Sequence, residues 1–401
     1  MLPLILCLFA TEASAIGNKV NGIYYLFTGA NAKVTYDVNG TNNVTAYTGD
    51  IVIPETVTYQ GITYTVTEIG HWAFQYCTNL TSVSLPSSVT TFGNYAFYHC
   101  ENLTSFEIPN SITTVGMYAF SECSALESIS IPSSVTSIGI YAFQNCTSLA
   151  SLSLPNSMTA ISDYTFTGCS GLTEVSIPSS VTSIGVKAFE KCTSLASLTI
   201  PEGVTSIGND AFNGCTSLAS VVIPASVTSL GDRAFSGCSS LASVSLPNGV
   251  ETIGMGAFSL CSGLTEVSIP SSVTSIGMSA FSVCNNLTTV KVDIKTPLTI
   301  NSYAFSNRAN ATLYVPKGCK STYENAQYWK EFKNIVEIIK GDVNKDGDVT
   351  IADVTALVDI ILGKDNTEPF AYDHVCADVN EDGSIAIPDV TALVNIILGR
   401  E

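Results

Sequence analysis

The sequence predicts an α/β repeat solenoid followed by a small α-helical domain, and three observations support this prediction. Ten cysteines, from Cys77 to Cys284, are each separated from the next by 23 positions, with no insertion anywhere. Each 23-residue unit holds a short alternation of apolar and polar residues, as in a strand. Residues 341–401 contain a different duplication, whose two copies lie 36 residues apart. A fixed period of roughly 20–50 residues indicates short units that stack on copies of themselves.

One unit, Cys192–Gly214, shows how a single coil is built. In it Leu198 and Ile200 point to one face of a short strand, because side chains alternate across an extended chain. After a second extended segment, Ala211 and Phe212 reach the interior from a single helical or 3₁₀ turn. A lone coil cannot close a hydrophobic core, whereas stacked coils form one beneath a parallel β-sheet. The unit therefore predicts 23-residue coils, each with a strand and a short helical turn.

The recurring pattern S-V-x-I-P-x-x-V-T-x-I-G-x-x-A-F-x-x-C resembles the BspA-like leucine-rich repeats. The resemblance covers residues 20–340 and holds over ten copies in register. It implies the leucine-rich-repeat fold and a surface or secreted binding protein, often an adhesive one. The periodicity alone implies only the solenoid, which we place at residues 71–284.

The segments on either side of the solenoid are predicted to cover its ends, because an open end exposes the core and the strand edges. Residues 16–70 are expected to form an N-terminal β cap, in which Gln60-Gly61 fits a hairpin turn. Residues 285–340 are expected to form a C-terminal cap, since the step between successive phenylalanines lengthens to 24 from Phe281 to Phe305.

Residues 1–15 are interpreted as a signal peptide. An apolar run from Leu2 to Ala10 precedes a small-residue cleavage site at Ala13–Ala15. The run is too short to span a bilayer, and no other segment is apolar enough to be transmembrane. We therefore expect a protein that is secreted or held at the bacterial cell surface.

The acidic net charge of the chain argues against some classes of binding partner. The formal net charge is −18, and charged residues make up only 12% of the chain. A strongly acidic chain without a basic patch argues against binding to nucleic acid and to anionic membranes.

The cysteines are interpreted as core residues. Ten of the 13 occupy one repeat position, so they are expected to stack as a buried ladder of free thiols. Occasional disulfides remain an alternative, because neighbouring coils bring Cα atoms within bonding range.

Each copy of the C-terminal duplication carries D-x-N-x-D-G and a further carboxylate at loop position twelve. Calcium takes about six to eight hard oxygen ligands, and this spacing turns alternating side chains toward one ion. The two copies therefore predict two calcium ions, with a carbonyl at position seven completing each shell. The alternative is a pair of solvated Asx turns without a metal. The predicted ligands are Asp342, Asn344, Asp346, Asp348, Asp353, Asp378, Asn380, Asp382, Ser384 and Asp389.

Each loop leads into a predicted helix that ends at a glycine suited to a C-cap, Gly363 or Gly399. Apolar residues follow the spacing i, i+3, i+4, i+7, i+8, which predicts that they share the core-facing side. No helix is predicted before either loop. The apolar sets are Val354, Leu357, Val358, Ile361 and Leu362 in the first helix, and Val390, Leu393, Val394, Ile397 and Leu398 in the second.

This paired arrangement of loop and helix resembles a type I dockerin over residues 341–401. The resemblance implies calcium-dependent folding and binding to a cohesin-like protein. In the family, loop positions ten and eleven often carry hydroxyl residues that meet the cohesin. Here these candidate partner-binding positions are Ile351 and Ala352 in the first loop, and Ile387 and Pro388 in the second, which departs from the family pattern.

The sequence holds no constellation that supports catalysis. Its three histidines, His71, His99 and His374, occupy ordinary variable or connecting positions. Of the acids on the predicted sheet face, Glu107 and Glu174 lie three coils, about 14 Å, apart, beyond the roughly 5–9.5 Å that glycoside hydrolysis needs. We therefore expect no enzyme activity.

An aromatic stripe is the candidate ligand surface of the solenoid. The residue before the recurring Ala-Phe pair is aromatic in five consecutive coils. Two interpretations stand: the rings cover the turn below them, or they form a platform for sugar rings or an extended peptide. The stripe consists of Trp72, Tyr95, Tyr118, Tyr141 and Tyr164.

These features together predict a secreted or cell-surface, non-catalytic binding protein. Its solenoid would bind a host protein or a polysaccharide, and its dockerin would attach it to a cohesin-type partner. The alternative is an accessory or enzymatic component of a polysaccharide-degrading, cellulosome-like assembly. A purely structural spacer, without any ligand, is the third interpretation.

Overall fold

The computed structural model describes residues 17–36, 47–344, 348–364, 374–380, 382 and 384–400, so the predicted signal peptide lies outside the described residues. The chain divides into two compact units. The first comprises Met1–Thr265, Ser272–Leu287 and Ile300–Asn307, and the second comprises Glu266–Ser271, Thr288–Thr299 and Arg308–Glu401.

An N-terminal β-sheet precedes the coils. Its strands are β1 (Asn18–Val20), β2 (Ile23–Thr28), β3 (Asn31–Thr35), β5 (Thr56–Tyr59) and β6 (Ile62–Ile69). They lie in the order β1-β2-β3-β6-β5. The β5–β6 hairpin turns at Gln60-Gly61, where φ is 50° and 79°. A further strand, β4 (Gly49–Val52), pairs in parallel with the first coil strand, β7 (Leu80–Ser84).

Each coil contributes one three- to five-residue strand to a parallel arrangement along the array. Residue pairs lie in register one coil apart, as in Ser197 with Ser220 and Leu198 with Val221. Leu198 is buried while Ser197 and Thr199 are exposed, so the predicted alternation is present. The strands of this arm are β7, β9 (Ser105–Glu107), β11 (Ser128–Ser130), β13 (Ser151–Ser153), β15 (Glu174–Ser176), β17 (Ser197–Thr199), β19 (Ser220–Val222), β21 (Ser243–Ser245), β23 (Glu266–Ile269) and β25 (Thr289–Val292).

A second arm of two-residue strands closes each coil. Its second residue is apolar and buried, as Ile184 and Ile207 are, and these two residues pair in parallel. The strands are β8 (Thr91–Phe92), β10 (Thr114–Val115), β12 (Ser137–Ile138), β14 (Ala160–Ile161), β16 (Ser183–Ile184), β18 (Ser206–Ile207), β20 (Ser229–Leu230), β22 (Thr252–Ile253) and β24 (Ser275–Ile276).

The segment that carries the plug forms hydrogen-bonded turns. The N–H of Ala211 donates to Gly208, three residues earlier, whereas the N–H of Phe212 donates to Ala234 in the next coil. A positive φ at Asp210 (56°) stops the turn from continuing as a helix. The 3₁₀-type turn is thus present, but alternate N–H groups bond between coils. Gly208 is required by close approach, since a Cβ there would lie 2.7 Å from the backbone of Gly185.

Two ladders fill the interior of the coils. Phenylalanine rings stack face to face from Phe74 to Phe305, with centroids 5.0–5.6 Å apart. The ten repeat cysteines are buried with free thiols. Nine of these thiols, from Cys100 to Cys284, donate to the carbonyl of the phenylalanine 26 positions earlier, at 3.1–3.4 Å. Each of these nine cysteines is therefore both a core residue and a hydrogen-bond donor between coils.

The second unit begins with a small parallel sheet, in which β23, β25, β26 (Thr312–Pro316) and β27 (Asn334–Ile338) lie side by side. Between the last strands are α1 (Lys320–Asn325) and the 3₁₀ helix η2 (Trp329–Glu331), and η1 (Arg308–Asn310) precedes β26. Buried Tyr323 and Trp329 donate to the carbonyls of Ile294 and Leu298 at 2.7 and 2.8 Å. These polar contacts let large aromatic side chains pack at the end of the sheet.

Three helices follow: α2 (Ile351–Ile361), α3 (His374–Ala377) and α4 (Ile387–Ile397). The expectation that no helix precedes either loop is wrong for the second loop, which α3 directly precedes. This single turn is stabilised by tertiary contact: Cys376 and Ala377 are buried, and the Cys376 carbonyl accepts the N–H of Gly341 at 3.2 Å. Four residues are too few to produce a periodic signal in sequence.

Candidate functional site

The two acidic loops are each closed by a buried aspartate at position twelve. Asp353 and Asp389 are fully buried. Asp353 accepts the N–H groups of Asn344 and Thr350 at 3.0 and 2.8 Å, one on each carboxylate oxygen. Asp389 does the same with Asn380 and Ala386, at 3.0 and 2.9 Å. Position twelve therefore joins the start of each loop to the N-terminus of the following helix.

The second loop brings three carboxylates together. Oxygens of Asp378, Asp382 and Asp389 all lie within 4.8 Å of one another. The Asp382 N–H donates to Asp378 Oδ1 at 3.1 Å, and the Ser384 hydroxyl donates to Asp382 Oδ1 at 2.7 Å. Hydrogen bonds from Ser384, and then from Asn380, hold the pKa of Asp382 below its ordinary range. The predicted ligands of this loop are thus neighbours in space.

The first loop has the same framework. Asp342 and Asp353 are buried, Asn344 is half-buried and Asp348 is exposed. Asp346, the predicted ligand at position five, lies outside the described residues.

The donor set fits a hard divalent cation. Among the described residues of the second loop, carboxylate oxygens converge without a sulfur or imidazole ligand, which suits calcium and not zinc. Three carboxylates so close together repel one another unless a cation or protons offset their charge. If calcium is bound, Asp378, Asp382 and Asp389 would hold it in the second loop.

The two helices start differently, a feature that the sequence analysis missed. The Thr350 hydroxyl accepts the N–H of Ala352 at 3.2 Å and so caps α2. At the start of α4 the corresponding residues are Ala386, without an acceptor, and Pro388, without an N–H. The first turn of α2 therefore gains a side-chain hydrogen bond, whereas the first turn of α4 has one fewer N–H group that needs a partner.

The helix ends agree with the sequence. Gly363 and Gly399 have positive φ, 65° and 61°. The N–H of Gly363 donates to the carbonyl of Ile360, and the N–H of Lys364 donates to the carbonyl of Asp359. These are the two hydrogen bonds of a Schellman motif. The C-cap prediction is confirmed.

The prediction for the helix faces is partly wrong. Leu357 and Leu393 are in the core as expected, but Val358, Leu362 and Leu398 are exposed. The core side of α2 instead includes Ala356 and Ile360, because the apolar residues span a wider arc than one packed face covers. The exposed ones lie with the residues of the first turn on the outward side of each helix, here called the outer stripe. It consists of Ile351, Val358 and Leu362 on α2, and Ile387 and Leu398 on α4, with the half-buried Val394 between the last two.

All four candidate partner-binding residues are accessible. Ile351 and Ile387 are 71% and 73% exposed, and Ala352 and Pro388 are exposed as well. Together with the exposed Leu362 and Leu398, the two isoleucines form an apolar surface on each helix, which is more informative than a single exposed isoleucine.

The five aromatic residues of the solenoid form one column. Neighbouring rings from Tyr95 to Tyr164 stack at 4.4–4.7 Å, and Trp72 stacks on Tyr95 at 6.4 Å. The Tyr36 ring meets Trp72 edge-on, and the Lys187 ammonium lies 5.9 Å from the Tyr164 centroid. The flat faces of the rings thus meet neighbours, while the half-buried edges line the turns.

The column residues adopt an unusual backbone conformation. All five have φ between 55° and 61°, as do Lys187, Asp210 and Arg233 (53–56°) in the next three coils. Arg233 holds buried Asp210 through two bonds of 2.7 and 2.9 Å, so the column continues as an ion pair. Burial opposes ionisation of Asp210, but Arg233 outweighs it and lowers the pKa of that carboxyl.

On the coils, the histidines and glutamates that were considered for catalysis occupy ordinary positions. His71 Nδ1 accepts the N–H of Asn94 at 2.8 Å, and His99 Nδ1 lies 3.3 Å from Glu101 Oε1. Glu107 and Glu174 are exposed on strands three coils apart. The side chain of His374 lies outside the described residues.

Comparison with protein families gives the class of this chain. The model of the BspA type leucine rich repeat region matches in overlapping stretches that together span residues 54–339, so the chain belongs to this family. The dockerin type I domain matches residues 340–398. Both resemblances, and the leucine-rich-repeat solenoid with a C-terminal helical dockerin region, are confirmed.

Two solved structures are similar. One is a leucine rich cell surface protein from Faecalibacterium prausnitzii A2-165, with 27% identity over 81% of this chain and 95% of that chain and a TM-score of 0.55. The other is a leucine-rich repeat protein from Bacteroides ovatus ATCC 8483, with 27% identity over 80% and 100% and a TM-score of 0.57. A search of curated proteins found no match. Among the helices of the described residues, none combines the length and apolarity needed to cross a membrane.

Proposed function

We propose that this chain is an exported, non-catalytic binding protein that its dockerin attaches to a cohesin-type partner while its solenoid presents a ligand surface. The observation that carries the proposal is the outer stripe. Its residues lie at matched places on α2 and α4, and Ile351, Leu362, Ile387 and Leu398 are open to water, in a domain whose family implies a cohesin partner. The two solved relatives add support for the surface location, since one is described as a cell surface protein.

The dockerin loops would hold two calcium ions, one in each loop. The support is the convergence of hard oxygen ligands in the second loop and the matching buried aspartate in the first. The ions would fix the loops, and Asp353 and Asp389 would carry that order to the N-termini of α2 and α4. The first turns of both helices, where Ile351 and Ile387 lie, would thereby be held in place for the partner.

The partner surface would be apolar. Ile351, Ala352, Ile387 and Pro388 replace the hydroxyl residues expected in the family, so recognition would rest on burial of aliphatic side chains and not on hydrogen bonds. Burying a fully exposed isoleucine contributes about 1.5–3 kcal/mol. A cohesin with an apolar patch is the partner of matching chemistry.

Binding to immobilised type I cohesin domains in calcium tests the proposal. We expect the full chain to bind at least one of a panel, and Ile351→Asp with Ile387→Asp to weaken that binding at least tenfold, since each aspartate would place a charge in an apolar contact. Val222→Asp is the matched control, because Val222 is 65% exposed on the solenoid sheet. Equal binding by the double variant and the control would contradict the proposed surface.

The solenoid surface would bind a host protein or a polysaccharide along the aromatic column. Its support is the confinement of the five stacked rings to consecutive coils. Tyr118→Ala with Tyr141→Ala should weaken binding of any solenoid ligand, measured in solution against glycan and matrix-protein panels. Unchanged affinities for every ligand found would restrict the column to a structural role. An accessory role in a polysaccharide-degrading assembly is a second candidate, favoured by the dockerin domain alone.

A further inference from the structure

The first five coils carry an uneven charge distribution. Residues 71–186 contain six acidic side chains and no lysine or arginine. Three of these acids are on coil turns beside the aromatic column: Glu101, Glu122 and Asp163. Glu101 lies 3.3 Å from His99, and Asp163 accepts the N–H of Val186 at 2.7 Å. This side of the coils is both aromatic and acidic.

A second group of rings extends the column. The ring of Tyr98 meets those of Tyr95, Tyr76 and His99 edge-on at 5.5, 5.4 and 4.4 Å. Tyr76 and His99 stack at 5.0 Å, and Tyr76 is 39% exposed. Burial, and then the neighbouring Tyr76 and Glu122, raise the pKa of Tyr98 to about 12. Glu122 occupies the repeat position of His99 one coil further along, with a similar positive φ. We call Tyr76, Tyr98, His99, Glu101 and Glu122 the acidic aromatic edge.

The fold does not require large side chains at this edge. Tyr76, His99 and Glu122 have φ of 59–63°, a left-handed conformation that bulky residues rarely adopt. At the same repeat position three later coils carry Gly168, Gly214 and Gly237, with φ of 72–76°. Ring stacking supports Tyr76 and His99, and Glu122 Oε1 accepts a hydrogen bond from Asn145 Nδ2 at 2.6 Å in the next coil. Other coils carry Asn145, Lys191, Leu260 and Val283 here with φ of 56–61°, so the fold sets the backbone at this position and leaves the choice of side chain open.

The chain itself shows which chemical group this surface accepts. At the end of the column the Lys187 ammonium lies 5.9 Å from the Tyr164 ring and 3.2 Å from Glu190 Oε1. A lysine is thus held between an aromatic ring and a carboxylate. The acidic aromatic edge offers the same two groups without a cation of the lysine or arginine type in its sequence span.

We infer that the acidic aromatic edge docks a cationic, extended segment of a partner protein, with lysine or arginine side chains that meet Glu101 and Glu122. This inference rests on the proposed ligand-binding role of the solenoid and gives the chemistry of the ligand. Carboxylates repel anionic glycans, and the stacked column leaves few ring faces for a neutral sugar, whereas arginine and tyrosine pair favourably at protein interfaces. Complementary charge would also speed encounter with such a partner.

A peptide probe tests the inference on the full chain. The probe is a ten-residue peptide of alternating arginine and glycine, titrated in calcium so that the dockerin loops stay saturated. We expect Glu101→Gln with Glu122→Gln to weaken its binding by about fivefold or more. The matched control is Glu107→Gln with Glu174→Gln, which removes the same charge from the exposed sheet face of the first five coils and should change binding less than twofold. Thermal unfolding of both variants checks that the coils remain folded.

The outcomes separate the inference from the proposed function. If the two variant pairs weaken binding equally, the peptide is attracted by the overall negative charge and not by the acidic aromatic edge, and the inference is overturned. Tighter binding of a neutral glycan oligomer in competition with the peptide would overturn it in favour of a sugar ligand. Failure of the peptide with success of another solenoid ligand would leave the proposed function standing. Failure of every ligand in the panels would remove both the inference and the ligand-binding role of the solenoid, but not the proposed role of the dockerin.

Discussion

The coils of the solenoid and the loops of the dockerin achieve order by different means. In the coils the phenylalanine rings stack on their own copies from Phe74 to Phe305, and the cysteine thiols and alternate backbone N–H groups of the turns bond to a neighbouring coil. In the loops the corresponding groups are carboxylates such as Asp378 and Asp382, which converge on one point and repel. Repetition stabilises the first region without any added group, whereas in the proposed function the second relies on a bound cation.

In both regions, exposed residues lie beside buried residues that hold the backbone in place. The buried ladders of the coils do not vary, and the positions that vary, at Trp72 and its equivalents, lie on the turns. In the dockerin the buried Asp353 and Asp389 act as supports, and Ile351 and Ile387 beside them are exposed. Each region therefore places adaptable residues next to a rigid element.

Breaking a ladder should give the largest effect. Phe166→Ala removes a fully buried ring from the middle of the stack and should lower the free energy of unfolding of the solenoid by about 3–5 kcal/mol. Urea unfolding followed by β-sheet circular dichroism measures it, with Ser153→Ala on the exposed sheet face as control. A loss below 1 kcal/mol would show that the phenylalanine stack contributes little to the stability of the solenoid.

The second-largest effect should be a loss of solenoid stability at alkaline pH. Burial raises the pKa of Cys169 and Cys215 to about 12, from about 8.5 for an exposed thiol. Because the unfolded chain loses these protons first, the stabilisation is complete below about pH 8.5 and is lost as the pH rises toward 12. Urea midpoints between pH 8 and 11 measure the slope. Cys169→Ala with Cys215→Ala should make that slope shallower, and an unchanged slope would contradict the assignment.

The helix starts should give the smallest effect. Thr350→Ala removes the cap of α2 and should cost about 1 kcal/mol. Ala386→Thr should gain little in comparison, because Pro388 offers no N–H to the new hydroxyl. Calcium-saturated thermal unfolding of the dockerin helices compares the two. A gain from Ala386→Thr as large as the loss from Thr350→Ala would show that the starts are equivalent.

Most of the fold could be predicted because repetition multiplies the signal. The spacing of Cys192 and Phe212 recurs in coil after coil, so chance variation averages out and only stacked coils satisfy it. The positive φ at Tyr118 and its equivalents could not be predicted, because a large side chain there conceals a conformation that glycine would have indicated. Gly256, at the same repeat position with a φ of 61°, was the available signal.

The site was only partly predictable for a different reason. The ligand spacing in the loops is local, and the structure places Asp378, Asp382 and Asp389 together. The helix faces depend on tertiary packing: the apolar residues of α2 cover both the core side and the outer stripe, so periodicity alone could not separate Leu357 from Leu362. The role of Asp353 as a link between loop and helix needed the backbone to be seen.

Calcium removal from the full chain tests the central contrast most directly. Hydrogen exchange is measured by mass spectrometry in calcium and in excess chelator, on peptides covering Ile351–Ile361, Ile387–Ile397 and the coil strands. We predict that chelation sharply lowers protection of both helices, since an ion at about 100 times its Kd contributes about 2.7 kcal/mol, and leaves the coils unchanged. Helices that keep full protection without calcium, or coils that lose theirs, would contradict the account.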